Sequence, residues 1–254
     1  IEYAYDSKGR LVSVTDSEGT TTYSYDINGN RASTTYPNGV VTTYEYNDIN
    51  VLTRQISKDS TGTVIASFEY TIGDNGERLS VTELNRTVEY EYDELNRLTK
   101  ETVTTGSTVS VTEYTYDANS NRTSMKKDGV TTTYDYNELN QITRAGNVNY
   151  TWDNAGNLVS QTTTTGVLVA SYTYDCHNRM VSANVNRNGS SIVETYEYDY
   201  LGNRTAKTSG GVTTEYTTDL SSGYSQVLKA EIGSDTVYYT RDFELISRRE
   251  GTAA

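Results

Sequence analysis

The sequence predicts an all-β fold, an antiparallel β-meander rolled into a spiral or barrel-like shell. A Tyr-x-Tyr-Asp unit recurs along the chain, a Gly or Asn turn signal follows each copy, and the strand-favouring residues Tyr, Thr and Val are abundant. The first Tyr of successive copies stands at Tyr3, Tyr23, Tyr44, Tyr70, Tyr90, Tyr114, Tyr134, Tyr150, Tyr172, Tyr196, Tyr216 and Tyr238. The steps range from 16 residues (134 to 150) to 26 (44 to 70), and we expect this variation to lie in loops.

The composition suits a sheet that water reaches. Of the 254 residues 34% are hydrophobic, and the aromatic residues are 24 Tyr, two Phe and one Trp. Tyr joins an apolar ring to a polar tip, so it can line a hydrated sheet. The net charge of −13 is also typical of disorder, but disordered chains are poor in aromatic and β-branched residues, and this chain is rich in both. We therefore expect a folded chain without an ordinary oily core.

Charge and hydropathy exclude two classes of partner. The balance of 34 Asp and Glu against 21 Lys and Arg leaves no basic stripe for nucleic acid or an anionic membrane. No apolar run approaches the roughly 18 residues of a membrane helix, so no membrane insertion is expected. One Cys cannot form an intramolecular disulfide, and a start at Ile1 without a leader favours a processed or excised piece.

Each copy predicts a strand, a turn, a second strand and a second turn. Both rings of Tyr-x-Tyr project from one face of the first strand. The Asp accepts hydrogen bonds from the backbone two residues on, and the Gly or Asn four residues later takes the left-handed conformation. The second turn is clearest at Asn38-Gly39, Asp128-Gly129 and Asn188-Gly189. Roughly two dozen strands result, more than the about ten that an open sheet holds before it curls or closes.

Four copies show the motif most fully, and we predict structural roles for their residues. They are Tyr23, Tyr25, Asp26, Gly29, Asn30 and Arg31; Tyr90, Tyr92, Asp93, Asn96 and Arg97; Tyr114, Tyr116, Asp117, Asn121 and Arg122; and Tyr196, Tyr198, Asp199, Gly202, Asn203 and Arg204. The Arg after the turn also recurs at Arg179. We expect Arg31, Arg97, Arg122, Arg179 and Arg204 to stack on a Tyr, or pair with an Asp, of the adjoining repeat.

The pattern Tyr-Asp-x-x-Gly-Asn-Arg, repeated at about twenty residues, resembles the YD-repeat (Rhs) family. That family includes bacterial Rhs proteins, the C components of insecticidal toxin complexes and the animal teneurins. The resemblance covers essentially the whole chain, which we interpret as one array, 1–254, with regular repeats in 1–215 and degenerate repeats in 216–254. The tail, Gly223 to Leu228, Tyr238 to Arg241 and Leu245 to Arg248, resembles the segment before the family's terminal core, whose self-cleavage aspartates this sequence does not match.

The resemblance implies a hollow β-shell, which in bacterial members encloses a toxic C-terminal domain. The chain is then expected to be a structural shell or scaffold segment of a polymorphic toxin or cell-surface protein, secreted or exposed at the cell surface. Its implied partners are the rest of the parent polypeptide or an enclosed toxin domain. Neither an enzymatic activity nor a cofactor is expected. Open sheet edges also predict self-association of an isolated segment.

Several other functions are weighed against this interpretation. A surface adhesin or carbohydrate-binding module with Tyr-lined strands is the main alternative. Asp26 to Asn30 and Asp117 to Asn121 match the opening of a calcium loop, but turn formation explains the pattern better and no metal is expected. Cys176 and His177 could serve nucleophilic catalysis only if their side chains met, and neighbours in a tight turn are expected to point apart. No two carboxylates stand out as a glycosidase pair.

Overall fold

The computed structural model describes residues 1–187, 189–221, 225–241 and 245–252. Within these ranges the regular secondary structure is 24 β-strands without a helix, as predicted. The chain separates into two compact units, 1–133 and 134–254. Asn188 of the predicted Asn188-Gly189 turn and Gly223 and Tyr224 of the tail lie outside the described residues.

The first unit contains thirteen strand segments. They are β1 (Glu2–Tyr5), β2 (Leu11–Asp16), β3 (Gly19–Tyr25), β4 (Arg31–Thr35), β5 (Val41–Tyr46), β6 (Leu52–Lys58), β7 (Val64–Ile72), β8 (Arg78–Glu83), β9 (Arg86–Tyr92), β10 (Leu98–Thr105), β11 (Thr108–Tyr116), β12 (Arg122–Lys127) and the start of β13 (Val130–Tyr136). The second unit begins within β13, at Tyr134. It continues with β14 (Ile142–Ala145), β15 (Val148–Trp152), β16 (Leu158–Thr163), β17 (Leu168–Tyr174), β18 (Met180–Arg187), β19 (Ser190–Tyr198), β20 (Arg204–Ser209), β21 (Val212–Asp219), β22 (Gln226–Ile232), β23 (Asp235–Arg241) and β24 (Leu245–Thr252).

Each described strand pairs antiparallel with the next one along the chain, so the predicted meander is confirmed. In the copies with a second aromatic residue the pairing shifts register there by one residue, between Ser24 and Tyr25 for example, and between Thr151 and Trp152. Such a bulge bends the strand as it enters the turn. Because it recurs in both units, the repeat has a fixed local geometry.

The two faces of the sheet differ in burial. The tyrosine face carries the first Tyr of each copy and the residues paired directly with it, as Val14 pairs with Tyr3 and Thr34 with Tyr23. Val14 and Thr34 are both only 2% exposed. Thr21 and Thr42 are buried as well, so hydroxyl-bearing side chains supply part of the core. This thin, partly polar core agrees with the low hydrophobic content.

The repeat step varies with strand length as well as with the length of the second turn, so the expectation that loops absorb the variation is confirmed only in part. The short step from 134 to 150 coincides with β14 and β15, of 4 and 5 residues. The longer step from 90 to 114 coincides with β10 and β11, of 8 and 9 residues. A hairpin lengthens on both strands at once because each added residue finds a partner in the ladder.

The left-handed residue of the Asp turn lies one place earlier than predicted. It is the third residue after the Asp, as in Gly29 (φ 92°) and Asn96 (φ 57°). In the copy that begins at Asp117 it is Ser120 (φ 67°), so Asn121 does not have this role. The hydrogen bonds explain the shift, since the chain must turn back before the fourth residue pairs with the Asp backbone.

The predicted second turns are found where both of their residues are described, but with two geometries. Asp128 and Gly129 both have positive φ, 48° and 88°, as a two-residue hairpin turn requires. Asn38-Gly39 lies in a longer turn, in which the Tyr36 amide donates to the Val40 carbonyl and only Gly39 is left-handed. A β-carbon on Gly39 would stand 2.8 Å from Ser60 Cβ, so neighbouring turns are closely packed.

Candidate functional site

The residues of the repeat motif lie in the row of turns at one end of the strands in each unit. We call this row of turns the aspartate-turn edge; it is not an edge strand. The turns that form it follow the odd-numbered strands. They begin at Asp6, Asp26, Asn47, Gly73, Asp93 and Asp117 in the first unit, and at Asn137, Asp153, Asp175 and Asp199 in the second. The opposite edge carries the turns that follow the even-numbered strands.

Each aspartate turn is closed by the same hydrogen bonds. At Asp175 the backbone amide donates to the Arg179 carbonyl at 2.9 Å, and the Asn178 amide donates back to the Asp175 carbonyl at 3.0 Å. The Asp175 Oδ1 accepts from the amides of His177 and Arg179 at 2.9 and 3.0 Å. The predicted bond from two residues on is therefore confirmed, and a second bond from four residues on completes the turn.

These hydrogen bonds favour the charged form of the turn aspartates. The Arg179 amide, with the Arg179 side chain, holds the pKa of Asp175 below its ordinary value. Asp6 and Asp93 have lowered pKa values for the same reason, through Arg10 and Arg97. An Asn side chain does so at Asp117, Asp153 and Asp199.

The second ring of each Tyr-x-Tyr connects neighbouring repeats. It donates a hydrogen bond to the backbone carbonyl of the first strand residue after the preceding aspartate turn. The bonds run from Tyr25 to Leu11, Tyr46 to Arg31, Tyr92 to Arg78, Tyr116 to Leu98, Tyr174 to Leu158 and Tyr198 to Met180, with lengths of 2.7–3.1 Å. Trp152 replaces this Tyr in one copy, and its Nε1 donates to Ile142 at 2.7 Å. The replacement keeps the donor, so the bond persists.

An Arg at the fourth place after the Asp makes a second connection. Arg97 Nε donates to its own Asp93 at 2.7 Å, its guanidinium lies 4.9 Å from the Tyr116 ring centre, and Nη1 donates to the Asp117 carbonyl at 3.0 Å. Arg179 makes the equivalent contacts with Tyr198 and the Asp199 carbonyl. Stacking between neighbouring repeats is therefore confirmed for Arg97 and Arg179.

An Arg at the fifth place stacks differently from this prediction. Arg31, Arg122 and Arg204 lie 4.7, 5.7 and 5.2 Å from the ring centres of Tyr23, Tyr114 and Tyr196. Each of these rings is the first Tyr of the same repeat. For these three residues the stack that the structure describes lies within one repeat, which the prediction did not name. The place of the Arg, fourth or fifth after the Asp, therefore decides which ring it reaches.

An Asn at the fourth place makes a third kind of connection. Asn30 Nδ2 donates to its own Asp26 and to Asn50 Oδ1 of the next turn, at 3.0 and 2.8 Å. Asn157 Nδ2 donates in the same way to Asn178 at 3.0 Å. Asn50 and Asn178 are the left-handed residues of their turns. Where the fourth place of the preceding turn is Arg10 or Arg179, the left-handed residue of the next turn is Gly29 or Gly202 instead of an Asn.

The calcium-loop interpretation finds no support in the turn geometry. Asp26 Oδ1 accepts from the Asn30 amide at 2.8 Å, and Oδ2 from the Asn30 side chain. Asn28 donates its amide to Asn50 at 3.2 Å. The oxygen ligands that a cation would need thus serve the turn. Over the part of the chain that the structure describes, no three His, Cys, Asp or Glu side chains cluster to hold a metal.

Two side-chain clusters differ from the sequence-based interpretation. Cys176 Sγ lies 3.3 Å from His177 Nδ1, so the expectation that these side chains point apart was wrong, although both are exposed. Sequence reasoning also missed Glu194, which accepts from Lys207, Tyr196 and Ser209 at 2.8, 2.7 and 3.1 Å. Lys207 above all, together with these donors, lowers the pKa of Glu194 to about 2.

Tyr196 is affected by the same cluster. Burial, and then the hydrogen bond to Glu194, raise the pKa of Tyr196 to about 12. Only the pairing of β19 with β20 brings Lys207 opposite Tyr196 and next to Glu194, and no local motif announces it.

Repeated antiparallel hairpins, each joined to the preceding one by a hydrogen bond from an aromatic side chain, define the wall of a β-shell. The model of the teneurin YD-shell family matches residues 65–217, more than half of the chain, and the model of the RHS repeat matches residues 5–41. The chain belongs to the YD-shell family, as its resemblance to YD repeats predicted. No curated protein sequence matches it.

Solved structures with the same fold are Tc toxin components. The crystal structure of TcdB2-TccC3-TEV matches with a TM-score of 0.60 and 14% identity over 98% of this chain. A Photorhabdus luminescens Tc holotoxin pore matches with a TM-score of 0.55 and 15% identity over 94% of this chain. The chain spans 16% and 15% of those chains. The likeness confirms the predicted β-shell fold. None of the described segments is a helix able to span a membrane.

Proposed function

We propose that this chain is a wall segment of a YD-repeat polymorphic toxin or cell-surface protein, which encloses or displays a polypeptide cargo. The observation that carries the proposal is the series of aromatic donors, because each bond fixes one hairpin to the backbone of the preceding hairpin. The wall acts without catalysis, and it is secreted or exposed at the cell surface. Its partners are the rest of the parent polypeptide and an enclosed domain, as the Tc toxin likeness supports.

The environment of the tyrosines supports wall building over glycan binding. The Tyr116 and Tyr198 rings are each covered on one side by an Arg, and their hydroxyls donate to backbone carbonyls. A ring with both its face and its hydroxyl in use offers little to a sugar. The adhesin alternative therefore has to be tested separately, with a glycan array.

The test is protease protection in the full-length parent polypeptide. We expect the segment that follows this chain to resist a nonspecific protease in the parent with an intact wall. A parent carrying Tyr174→Phe and Tyr198→Phe loses two of the connecting bonds and should release that segment to digestion. Tyr200→Phe is the matched control, because the Tyr200 side chain is 93% exposed. Equal digestion of all three proteins would refute enclosure, and micromolar glycan binding would favour the adhesin.

A further inference from the structure

The tips of the aspartate turns in the first unit carry exposed apolar side chains. Ile27, Ile49 and Leu95 are exposed by 92%, 68% and 68%. They stand at the first or second place after the residue that begins the turn. The bonds that close these turns come from backbone amides and from the Asp or Asn that begins them, so the tip side chains are not needed for closure.

Other copies confirm that an aspartate turn does not require an apolar tip. The second place of the turn is Lys8, Asn28, Asn75 or Asn119 elsewhere in this unit. These copies adopt the same closure by the fourth-residue carbonyl. Ile49 and Leu95 therefore expose apolar area that the fold does not use, and such area in a soluble protein marks an interaction site when it is grouped.

Acidic side chains accompany the apolar tips. Asp48 directly precedes Ile49, Glu94 directly precedes Leu95, and Asp74 lies in the turn between them. Within the described ranges none of these three carboxylates takes part in an ion pair. Over the turns that begin at Asn47, Gly73 and Asp93 the edge therefore combines apolar tips with uncompensated negative charge, and the complementary surface is apolar and basic.

The spacing of the tips favours a helix as the occupant. Successive aspartate turns are two strands apart, which places their tips about 9.6 Å from one another. Seven residues of an α-helix rise about 10.5 Å, so side chains one heptad apart have nearly the same spacing as the tips. An extended strand would need every third residue, and those side chains alternate between its two faces. Ile27 and Ile49 lie one such step apart, and Ile49 and Leu95 lie two steps apart, because the turn that begins at Gly73 has no apolar tip. A helix can therefore present one apolar row to all three tips from its first, second and fourth heptads.

We propose that the aspartate-turn edge of the first unit is a docking surface for a basic amphipathic helix of a separate polypeptide. The apolar row of the helix packs on Ile27, Ile49 and Leu95, and its Lys and Arg side chains face Asp48, Asp74 and Glu94. The second unit, taken by itself, repeats the chemistry at one turn, where Glu138 precedes the 77% exposed Leu139.

The test measures the binding of a labelled helical peptide to the full chain by fluorescence anisotropy. The peptide has about 28 residues in four heptads, each with one Leu and three Lys, and a scrambled peptide of equal composition is its control. Ile49→Asn with Leu95→Asn should weaken binding at least tenfold, because Asn occupies this place in other turns. Leu84→Asn, at a 52% exposed leucine on the opposite edge, should leave binding unchanged.

Charge is tested by a second pair of substitutions. Asp48→Asn with Glu94→Gln should weaken binding several-fold, and the difference should shrink as salt rises, since exposed charges are screened. Circular dichroism verifies that each variant keeps its β-structure. Equal binding of the scrambled peptide, or equal binding by the tip variant, would overturn the proposal. A membrane partner would also overturn the proposal. It would be indicated if the peptide bound neither the original chain nor the tip variant, while uncharged phosphatidylcholine vesicles bound the original chain but not the tip variant.

Discussion

The two edges of the sheet follow different rules, although one chain forms both. On the aspartate-turn edge the same turn recurs in both units, with the third residue left-handed and the fourth paired with the residue that begins the turn. On the opposite edge two-residue turns such as Asp128-Gly129 occur together with longer turns such as Asp59–Thr63 and Thr163–Val167. Strands of different length end there.

The difference shows that the contacts between repeats are concentrated on the aspartate-turn edge. The aspartate-turn edge holds the aromatic donors, the Arg stacks and the Asn bridges, so each turn must present the same atoms at the same places. The opposite edge has no such requirement, and hairpins can lengthen toward it without disturbing the connections. A repeat array of this kind has a stability set by neighbouring repeats, so local changes should have local and comparable costs.

Acid should have the largest effect, because it acts on every carboxylate of the aspartate-turn edge together. The folded pKa values of Asp6, Asp93, Asp117, Asp153, Asp175 and Asp199 are lowered. Their stabilisation is complete above the unfolded pKa of about 3.9 and is lost as pH falls through the folded values. We expect the melting temperature to fall steeply below about pH 4.

The control is a variant that removes part of this titration. Asp153→Asn, Asp175→Asn and Asp199→Asn should lower the melting temperature at pH 7 and flatten its dependence on pH below 4. Asn begins the turns at Asn47 and Asn137, so the substituted turns can still close. An unchanged acid profile in the triple variant would show that other carboxylates dominate.

The next largest effect is expected from Gly19→Ala on the opposite edge. Gly19 has a φ of 130°, and a β-carbon there would lie 2.7 Å from Pro37 Cβ. Backbone strain and this contact should lower the free energy of unfolding by about 2–3 kcal/mol in urea titrations. Gly29→Asn on the aspartate-turn edge is the comparison, because Asn50 and Asn96 hold the same left-handed place. A cost for Gly29→Asn as large as that for Gly19→Ala would contradict the distinction between the edges.

A smaller effect is expected from removing one aromatic donor. Tyr174→Phe leaves the ring and deletes the 3.0 Å bond to the Leu158 carbonyl. Loss of one such bond should lower the free energy of unfolding by about 1 kcal/mol. Trp152→Phe should cost a similar amount, since its Nε1 makes the equivalent bond. Tyr200→Phe, at the exposed tip of a turn, should be neutral, and an equal loss there would refute the role of the donors.

The smallest effect is expected from the Arg side chains. Arg179→Ala removes the stack on Tyr198, 5.0 Å from the ring centre, together with the partly exposed bonds to Asp175 and the Asp199 carbonyl, and should cost about 0.5–1 kcal/mol. Arg144→Ala breaks only an exposed ion pair with Asp135 and should change stability less. If neither variant differed from the original protein in urea unfolding, the connection between repeats through Arg179 would be wrong.

The sequence predicted the repeated parts of the molecule well because they depend on neighbours in the chain. The Asp that accepts from the backbone and the Gly or Asn that turns left-handed act within five residues. The recurrence of the motif showed them many times. The misplaced details also have local causes. A one-residue error assigned the left-handed place to Asn121 in place of Ser120, and the contribution of strand length to the repeat step was missed.

Sequence alone determined that the chain forms hairpins, because alternation, Asp turns and aromatic residues are short-range requirements. Only the tertiary structure decided which ring each Arg contacts, that Trp152 serves as a tyrosine-like donor, and that Glu194 gains Lys207 as a partner. Those outcomes depend on the register between strands. Register is fixed by pairing across the sheet, where residues distant in sequence become neighbours.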